Sequence, residues 1–433
     1  MVMDHTLRHF YKKSYAEKLE ALELSGLLDS KQCDQLRNQT LDLPHEMGTH
    51  MIENFITNYS LPMGLGFHFL IDGQAYTVPM AIEEPSVIAA ASFGAKIIGQ
   101  SGGFQTGDHS RLMIGQVVVE NVPHMTEAIR AIEAARDELV EQANAAYPSI
   151  VKRGGGARKV EVRTVQADAD HTHEVAKFLV VYLYVDTCEA MGANMINTML
   201  EGIAPMIQEL TQGNLLMSIL SNYATEALVH VTCAIDPKYL KTKGWSGQKV
   251  RDRIVSAWQF ASADPYRAVT HNKGVMNGID AVTIATGNDW RATSAAIHAY
   301  ATRSGQYQPL TQWHVADSGE LIGQITIPLA LATVGGSIGF HPTAQLAHQI
   351  LGHPNAQVLA HIVAAVGLAQ NFAALRALVT EGIQEGHMSL QARSLAISAG
   401  ATGDHIQYVA DQLTQAPKMN LDTAKHILKN LNQ

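Results

Sequence analysis

The hydrophobic positions of the first hundred residues predict a helix, a hairpin and a second helix. Apolar residues recur at helical spacing over Ser14–Leu28, which predicts a surface helix. Alternation over Leu70–Pro79 is interrupted by Asp72–Gly73, a strong two-residue turn signal, so this segment predicts a β-hairpin. The alanine-rich run after Ser86 has no polar face, which indicates a buried helix.

A different pattern of strands and helices begins near Met113. A strand, an amphipathic helix, two strands and a second helix are predicted, in that order, over Met113–Val122, Met125–Ala146, Arg153–Ala167, His173–Asp186 and Ala193–Gln212. This β-α-β-β-α order is ferredoxin-like rather than doubly wound. No GxGxxG motif supports a Rossmann half. We therefore predict a small domain inserted over residues 113–222.

The segments on both sides of this insertion predict a larger domain. Thr225–Val255 has the pattern of a strand and an amphipathic helix, Gly305–Pro328 that of a hairpin, and His353–Leu378 that of a long helix. The predicted fold class is α+β, with a large mixed helical and sheet domain over residues 1–112 and 223–380. Residues 381–433 form a C-terminal helical flap, where Gly382 and Gly386 before His387 suggest a hinge.

Composition excludes several classes of protein. The 433 residues are 46% apolar and 16% charged, with a formal net charge of -9, and no Lys/Arg block is long enough to follow nucleic-acid phosphates. The longest purely apolar run, Phe178–Val185, is far shorter than the ~20 residues of a membrane span. Three widely spaced cysteines without a CxxC pair predict neither a disulfide framework nor a metal site, and they suit the cytoplasm.

Polar side chains concentrate in one stretch, Asp264–Ala292. The polar members surround five apolar residues and are Arg267, His271, Asn272, Lys273, Asn277, Asp280, Asn288, Asp289 and Arg291. Such groups on short, rigid backbone can present a cation, a carboxylate and amide donors to a reacting carbonyl. A buried, hydrogen-bonded loop pair between two strands explains the pattern equally well.

Two other segments carry candidate chemistry. Glu83 and Glu84 come just before the alanine-rich helix, whose positive end favours anions, although capping alone would explain Glu83. A strand ending at Asp186, a turn with Gly192 and a helix from near Asn194 would offer free N–H groups to a pyrophosphate. An ordinary strand-to-helix turn has the same spacing.

Five motifs in this chain resemble, in the same order, those of class II hydroxymethylglutaryl-coenzyme A (HMG-CoA) reductase, the bacterial form of this mevalonate-pathway enzyme. They are VPMAIEEPSVIAAAS at Val78–Ser92, EAMGANMINTM at Glu189–Met199, ILSN at Ile219–Asn222, the stretch Asp264–Ala292, and EGIQEGHMSLQAR at Glu381–Arg393. The likeness runs from about Phe10 to the C-terminus. Five separate matches are far more specific than a single short motif.

The resemblance implies reduction of HMG-CoA to mevalonate and free coenzyme A by two successive hydride transfers. Lys273 would polarise the thioester oxygen and stabilise the alkoxide. Glu84 would supply a proton, and Asp289 would lie near both as an anion. His387 would protonate the departing thiolate.

The resemblance also assigns binding residues. Substrate contacts would come from Ser86, Arg267, Asn277, Asn222 and Gln370. Cofactor contacts would come from Glu189, Met191, Gly192, Ala193 and Asn194, with Glu189 standing where the family's motif usually has Asp. NADH-preferring relatives carry an aspartate where this chain has Tyr147, so NADPH is the expected cofactor and NADH stays possible. Lys152, Arg153 and Arg158 are candidate partners of the 2′-phosphate.

The implied assembly is a homodimer, or a higher oligomer, with the active site at the subunit interface, and low surface charge agrees with this. No nucleic-acid or membrane partner is expected. A thiolase-like acyltransferase would also bind coenzyme A esters, but its nucleophilic cysteine should lie among the polar clusters, and Cys33, Cys188 and Cys233 lie outside them. A non-catalytic coenzyme A-binding protein is the remaining alternative if Glu84 and Lys273 do not converge.

Overall fold

The structure, a computed structural model, describes residues 5–107, 110–167 and 177–431, with the backbone alone described for residues 383–390. The strands of the described chain are β1 Met63–Ile71, β2 Gln74–Ala81, β3 Phe104–Thr106, β4 Leu112–Glu120, β5 Gly156–Gln166, β6 Lys177–Asp186, β7 Asn214–Ser221, β8 Leu228–Ile235, β9 Thr311–Val315 and β10 Leu321–Pro328. Its helices are α1 Tyr15–Leu24, α2 Ser30–Arg37, α3 His45–Met51, α4 Val87–Gln100, α5 Met125–Ala134, α6 Arg136–Ala146, α7 Pro148–Val151, α8 Ala193–Thr211, α9 Gly247–Ala263, α10 Pro265–Ala285, α11 Trp290–Ala301, α12 Pro342–Ile350, α13 Ala356–Val379, α14 Ile383–Ser398, α15 Asp404–Gln415 and α16 Leu421–Leu431.

The larger sheet has the strand order β2-β1-β3-β8-β10-β9. The β1–β2 hairpin turns at Asp72 and Gly73, whose φ angles of 48° and 80° match the left-handed backbone of a type I′ turn. β9 and β10 form the second antiparallel hairpin. Both hairpins predicted from alternation are therefore confirmed.

The smaller sheet is antiparallel throughout, with the order β5-β6-β4-β7. Alternate residues of β6, including Leu179, Val181 and Leu183, join a core with α5, α6 and α8. The predicted β-α-β-β-α order is present, and β7 extends it to β-α-β-β-α-β. The single predicted helix over Met125–Ala146 is instead two helices that meet at Ala135, where the backbone turns to φ −94° and ψ 10°.

We call the smaller sheet with α5–α8 the small unit, and the larger sheet with the helices packed on it the larger unit. The core of the larger unit surrounds α13, which is buried on nearly all sides. It is long and apolar enough to cross a membrane by composition, but 89% of its most apolar window is buried inside the protein. Two glycines allow close approach of neighbouring helices: a Cβ on Gly94 of α4 would lie 2.3 Å from the Ala369 carbonyl oxygen, and one on Gly278 of α10 would lie 3.0 Å from Val366. Helices α4 and α10 are thereby held against the same central helix.

The polar stretch Asp264–Ala292 is not a loop pair between strands. It forms the 21-residue helix α10 and the start of α11. Asp264 caps α10 by accepting a hydrogen bond from the Arg267 N–H, and Pro265 occupies the first turn, where its missing N–H costs nothing. The loop-pair alternative is therefore wrong, and Gly278 lies inside a helix, where it allows close packing against α13.

Two smaller apolar clusters lie outside these cores. One joins α1 and α2 to Leu346 and Ile350 of α12. The other lies within α14–α16 and includes Ala392, Val409 and Leu413. Gly382, with φ 87°, precedes α14, whereas Gly386 lies inside that helix, so only the first of the two predicted hinge glycines adopts a left-handed backbone.

Candidate active site

The structure brings Glu84 and Lys273 together, although 189 residues separate them in the chain. The Lys273 Nζ donates to Glu84 Oε2 at 2.8 Å. Lys273 projects from the middle of α10, and Glu84 lies in the turn that joins β2 to α4. In the single chain 59% of the Lys273 side chain and 43% of the Glu84 side chain are exposed, so a ligand can reach both.

The turn that presents Glu84 has an unusual backbone. Ser86 has φ 75° and ψ −18°, the left-handed region that a residue with a Cβ rarely adopts, and α4 begins directly after it. Pro85 therefore lies before the helix and not in its first turn. Strained non-glycine residues of this kind cluster at functional sites, because the surrounding structure must hold them in place.

Arg267 and Asn277 also project from α10, and Asn277 is one turn away from Lys273. Both Arg267 and Asn277 are partly buried, and neither side chain has a hydrogen bond or ion pair to any described residue. Burial lowers the pKa of the Arg267 guanidinium from its ordinary value. An arginine and an amide so placed have donors available for a carboxylate ligand.

Gln370 of α13 lies beneath this part of α10. A Cβ on Gly278 would be 3.2 Å from the Gln370 side chain, so the glycine leaves room for it. Gln370 is buried, and its Oε1 accepts no hydrogen bond from the described residues. A buried acceptor without a donor is costly, which favours a polar ligand as its partner.

Buried polar groups hold α10 against the residues around it, and the sequence did not single them out for this role. The His271 Nε2 lies 2.7 Å from Thr311 Oγ1 and 3.1 Å from Asn371 Nδ2. Asn272 donates to the Gln308 carbonyl and accepts from the Leu310 N–H, both at 2.9 Å. Burial, with the charge of Arg267, lowers the pKa of His271 to about 3, so this imidazole is a neutral structural group.

Asp289 does not join Glu84 and Lys273 within one chain. It caps α11, accepting hydrogen bonds from the N–H groups of Arg291 and Ala292 at 3.0 Å, and its other oxygen pairs with the Arg291 guanidinium at 3.2 Å. Lys273 lies roughly 12 residues, or about 18 Å, from the C-terminal end of α10, and Asp289 follows that end. Among the described residues of one chain, Glu84 and Lys273 are therefore in direct contact, and the carboxylate of Asp289 is bound by Arg291 and the start of α11.

Two other predicted residues are not brought to the pair by any contact of the described chain. Asn222 is exposed just after β7, where its carbonyl accepts from the Ala224 N–H. His387 lies in α14, whose backbone is described, but its side chain is outside the described part of the structure.

A second candidate site lies at Thr187–Gly192, which we name the α8 turn. Gly192, with φ 96°, precedes α8, and no side chain caps this helix. The first N–H groups of the helix, including those of Ala193 and Asn194, can therefore bind an anion. Met191 is partly buried in the same turn.

The loop before β5 closes tightly against the α8 turn. A Cβ on Gly155 would lie 2.7 Å from both the Asp186 carbonyl oxygen and the Cys188 sulfur, so a side chain there would force the two segments apart. This contact brings the loop containing Lys152 and Arg153 beside the helix terminus. The two segments together fit a dinucleotide, with a pyrophosphate at the helix and a further phosphate near the basic loop.

The basic candidates in this loop are not equivalent. Arg158 is not available for a phosphate, because it pairs with Asp186 at 3.3 Å and donates to the Gly154 carbonyl. Lys152 and Arg153 are exposed and form no ion pair with the described residues. Tyr147 directly precedes the short helix α7 without a side-chain capping hydrogen bond, and it packs partly against the core of the small unit.

The carboxylate of Glu189 is bound by residues outside the α8 turn. Its Oε2 accepts hydrogen bonds from Thr333 Oγ1 and from the Ala356 N–H at the start of α13, both at 2.7 Å. The carboxylate predicted to contact the cofactor is therefore engaged with the larger unit. Arg111 donates to the carbonyls of Cys188 and Ala190 in the same turn. The sequence did not single out this residue, because a lone arginine before an apolar strand belongs to no motif.

Comparison with known proteins identifies relatives over almost the whole chain. The family model for hydroxymethylglutaryl-coenzyme A reductase matches residues 14–392. The 3-hydroxy-3-methylglutaryl-coenzyme A reductase of Archaeoglobus fulgidus is 44% identical over 430 residues, covering 99% of this chain and 95% of that protein. A probable enzyme of the same name from Borreliella burgdorferi is 33% identical, covering 90% and 86% of the two chains.

Solved structures from Streptococcus pneumoniae have the same fold. A 3-hydroxy-3-methylglutaryl-coenzyme A reductase from that organism is 48% identical, with a TM-score of 0.82 and coverage of 98% of this chain and 99% of that one. The class II reductase of the same organism, bound to NADPH in open conformations, is 48% identical, with a TM-score of 0.81 and coverage of 97% and 100%.

Proposed function

Because the chain belongs to the hydroxymethylglutaryl-coenzyme A reductase family, we propose that Glu84 and Lys273 are the reacting pair of an NADPH-dependent reduction of HMG-CoA to mevalonate and coenzyme A. The observation that carries this assignment is the 2.8 Å contact between Lys273 Nζ and Glu84 Oε2 at an exposed position. An ammonium and a carboxyl group so joined can serve the same carbonyl oxygen, one as a cation and the other as a proton donor.

The chain's residues have distinct tasks in this reaction. Bound NADPH supplies the hydride, and two equivalents are consumed for each HMG-CoA. Lys273 stabilises the negative charge that develops on the thioester oxygen as the carbonyl is reduced, and Glu84 delivers a proton to that oxygen. The resulting thiohemiacetal loses coenzyme A as its thiol, and the aldehyde that forms needs the same two groups for the second reduction.

The substrate's carboxylate end would be held by the donors beside the pair. Arg267 and Asn277 have side chains without partners in the described chain, and Ser86 stands at the start of α4. Gln370 contributes the buried acceptor and Asn222 a contact at the rim. An arginine recognises a carboxylate through two parallel hydrogen bonds, which would fix the substrate's orientation.

The active site is completed by a second copy of the chain. Asp289 follows the end of α10, which is about 18 Å along the helix from Lys273, and its carboxylate is bound at α11, so the Asp289 that serves this pair would come from the partner. Large apolar side chains on α9 and α10 are strongly exposed in the single chain: Phe260 59%, Tyr266 85% and Val269 54%. Such a surface next to the pair supports a homodimer, and a higher oligomer is compatible with it.

The cofactor would bind across the α8 turn and the loop before β5. The N-terminus of α8 would hold the pyrophosphate, and Lys152 and Arg153 the 2′-phosphate that distinguishes NADPH from NADH. Residues 113–222 are then the cofactor unit, and residues 1–112 with 223–380 the substrate unit. Residues 381–433 form a flap that would carry His387 to the departing thiolate.

An acyltransferase is disfavoured by the three cysteines. Cys233 is buried in β8, and burial raises the pKa of its thiol to about 12. Cys33 is also buried, and burial raises the pKa of both Cys33 and Cys188 above its usual range. None of these is an activated nucleophile. Three unpaired thiols, with α13 inside the core, support a cytoplasmic location without a membrane partner.

The test is the decrease in absorbance at 340 nm with HMG-CoA and NADPH, followed by the same assay with NADH. We expect Lys273→Ala to reduce kcat by at least about 10²- to 10³-fold, the usual effect of losing one oxyanion-stabilising group. Lys249→Ala, which removes an exposed lysine from α9, is the matched control and should keep wild-type activity. A folded Lys273→Ala variant with normal turnover would show that the pair is not the reacting centre.

A further inference from the structure

We infer that the segment Leu331–Thr333, which we name the coupling segment, sets the position of the α8 turn relative to the catalytic groups. The inference rests on the proposed function, because it concerns where the cofactor lies with respect to the substrate. Each of the three consecutive residues is bound by a different polar side chain: Leu331 by Arg111, Ala332 by Asn288 and Thr333 by Glu189.

Arg111 joins the coupling segment to the α8 turn. Its Nη2 donates to the Leu331 carbonyl at 2.7 Å and to the Ala190 carbonyl at 3.1 Å, while its Nε donates to the Cys188 carbonyl. The rigid, planar guanidinium fixes these three oxygens relative to one another, which a flexible ammonium could not do. Arg111 also directly precedes β4, where the chain enters the small unit.

Glu189 makes a second connection between the same two segments. Besides the bond from the Thr333 hydroxyl to its carboxylate at 2.7 Å, its backbone carbonyl accepts from the Thr333 N–H at 2.9 Å. The carboxylate also receives the Ala356 N–H at the start of α13, the helix that carries Gln370. The α8 turn is thus bound to the larger unit through backbone and side chain together.

Asn288 binds the middle of the coupling segment. Its Nδ2 donates to the Ala332 carbonyl at 3.0 Å, and its Oδ1 accepts from the Ala332 N–H at 2.7 Å. These two bonds satisfy both the backbone N–H and the carbonyl of Ala332, so the segment cannot shift along the chain direction without breaking both. Asn288 immediately precedes Asp289, the carboxylate assigned above to the reaction.

These hydrogen bonds, together with the peptide bonds Leu331–Ala332 and Asn288–Asp289, form a route that connects the turn that would hold the cofactor to Asp289, the carboxylate assigned above to the reacting pair of the partner subunit. Hydride transfer requires the reacting atoms to be held roughly 3–3.5 Å apart, and a displacement of about 1 Å can reduce the rate about 100-fold. Arg111, Glu189 and Asn288 are therefore positioning residues. The route also gives the carboxylate of Glu189 a structural task, because it binds Thr333 and the start of α13.

The test uses the full-length enzyme with Arg111→Lys and, separately, Thr333→Val. The first keeps the cation and loses the guanidinium fork, and the second keeps the side-chain shape and loses the hydroxyl. We expect each to lower kcat by about 10- to 100-fold and to raise the KM for NADPH about 10-fold, with the KM for HMG-CoA changed less than about twofold. With NADPH deuterated at the transferred position, the isotope effect on kcat/KM should rise above the wild-type value, because hydride transfer becomes more limiting.

Two substitutions outside the route are matched controls. Arg251→Lys alters a mostly buried arginine that binds the Gly319 carbonyl, and Thr211→Val removes a buried hydroxyl that donates to the Ile207 carbonyl at 2.8 Å. We expect both to keep the wild-type isotope effect and NADPH KM, whatever they do to the melting temperature.

The coupling inference is overturned if either route variant, once shown to be folded, loses thermal stability but keeps wild-type KM values and isotope effect. It is also overturned if the KM for HMG-CoA rises as much as that for NADPH. A wild-type enzyme that does not oxidise NADPH in the presence of HMG-CoA would overturn the proposed function itself, and the coupling inference with it.

Discussion

Lys273 and Glu84 keep 59% and 43% of their side chains exposed in one chain and contact each other through a single hydrogen bond. The α8 turn, in contrast, is fixed by the close approach of Gly155, by hydrogen bonds donated by Arg111, and by hydrogen bonds that Glu189 accepts. One region is built from two side chains, one on a helix and one in a turn, and the other mainly from backbone. The first is incomplete without further contacts, whereas the second is already organised.

This difference follows from what each region would bind. A pyrophosphate needs fixed N–H groups, which backbone supplies at a helix terminus without any charged side chain. A carbonyl that changes its charge during reduction needs ionisable groups, whose final arrangement depends on what surrounds them. Under the proposed function, the cofactor would therefore bind groups that are fixed within one chain, whereas the reacting groups would be enclosed by further surfaces.

The sharpest test of the comparison is subunit complementation, because it asks whether the reacting region really needs two chains. Lys273→Ala and Asp289→Ala chains, each inactive alone, should regain about a quarter of wild-type activity when mixed in equal amounts. Half of the dimers would be mixed and one of their two sites would be intact. Activity is measured after co-expression with two different affinity tags.

The control for this experiment comes from the ion pair. Glu84 and Lys273 lie in one chain, so mixing Glu84→Ala with Lys273→Ala chains should restore nothing. Recovery in this second mixture, or none in the first, would contradict the assignment of Asp289 to the partner.

Substitutions in the proposed cofactor region should have a smaller effect, which is specific to NADPH. Lys152→Ala combined with Arg153→Ala should lower kcat/KM for NADPH about tenfold, or about 1.4 kcal/mol, and leave that for NADH nearly unchanged. These two side chains make no ion pair within the described chain, so their removal should not disturb the small unit. The measurement is kcat/KM with both cofactors at saturating HMG-CoA.

Arg158→Ala is the control for the Lys152→Ala and Arg153→Ala double variant, since Arg158 is already bound to Asp186 and Gly154. It should change kcat/KM for NADPH and for NADH by the same factor.

Tyr147→Asp should move the cofactor preference toward NADH by placing an anion near the 2′-phosphate. A wild-type enzyme whose kcat/KM is at least about tenfold higher with NADH would show that this loop does not bind the 2′-phosphate.

The last prediction concerns the stability of α10. Burial raises the pKa of Asp280 to about 6, partly opposed by the hydrogen bond from Ser294 at 3.1 Å. Because the folded pKa exceeds the unfolded one of about 3.9, the contribution of Asp280 to stability is present below about pH 4 and is lost as pH rises through about 6. Asp280→Asn should therefore raise the unfolding free energy at pH 8 by on the order of 1–3 kcal/mol and change it little at pH 4.

Thermal unfolding at the two pH values measures this difference. Asp317→Asn, at an exposed position in the β9–β10 turn, is the matched control and should not change the pH dependence. An equal shift of the melting temperature at pH 4 and pH 8 for Asp280→Asn would show that ionisation of this carboxyl is not responsible.

Local sequence patterns determined the elements whose physics is local. Asp72–Gly73 predicted a hairpin because two successive left-handed residues are needed there, and both have positive φ. Gly192 predicted the entry into α8 for the same kind of reason. The family motifs, including Glu84 and Lys273, were recognisable because they are contiguous stretches of chain.

Tertiary structure alone decided where these groups meet and which remain available. Polar spacing left α10 ambiguous, because a helix packed on all but one side has no simple apolar face, and Gly278 is explained only by its contact with α13. The roles of Glu189 and Arg111 depend on Thr333 and Leu331, which are more than 140 residues away in the chain. Hydrogen bonds over such separations leave no periodic trace in a sequence, because folding and not chain order brings the partners within reach.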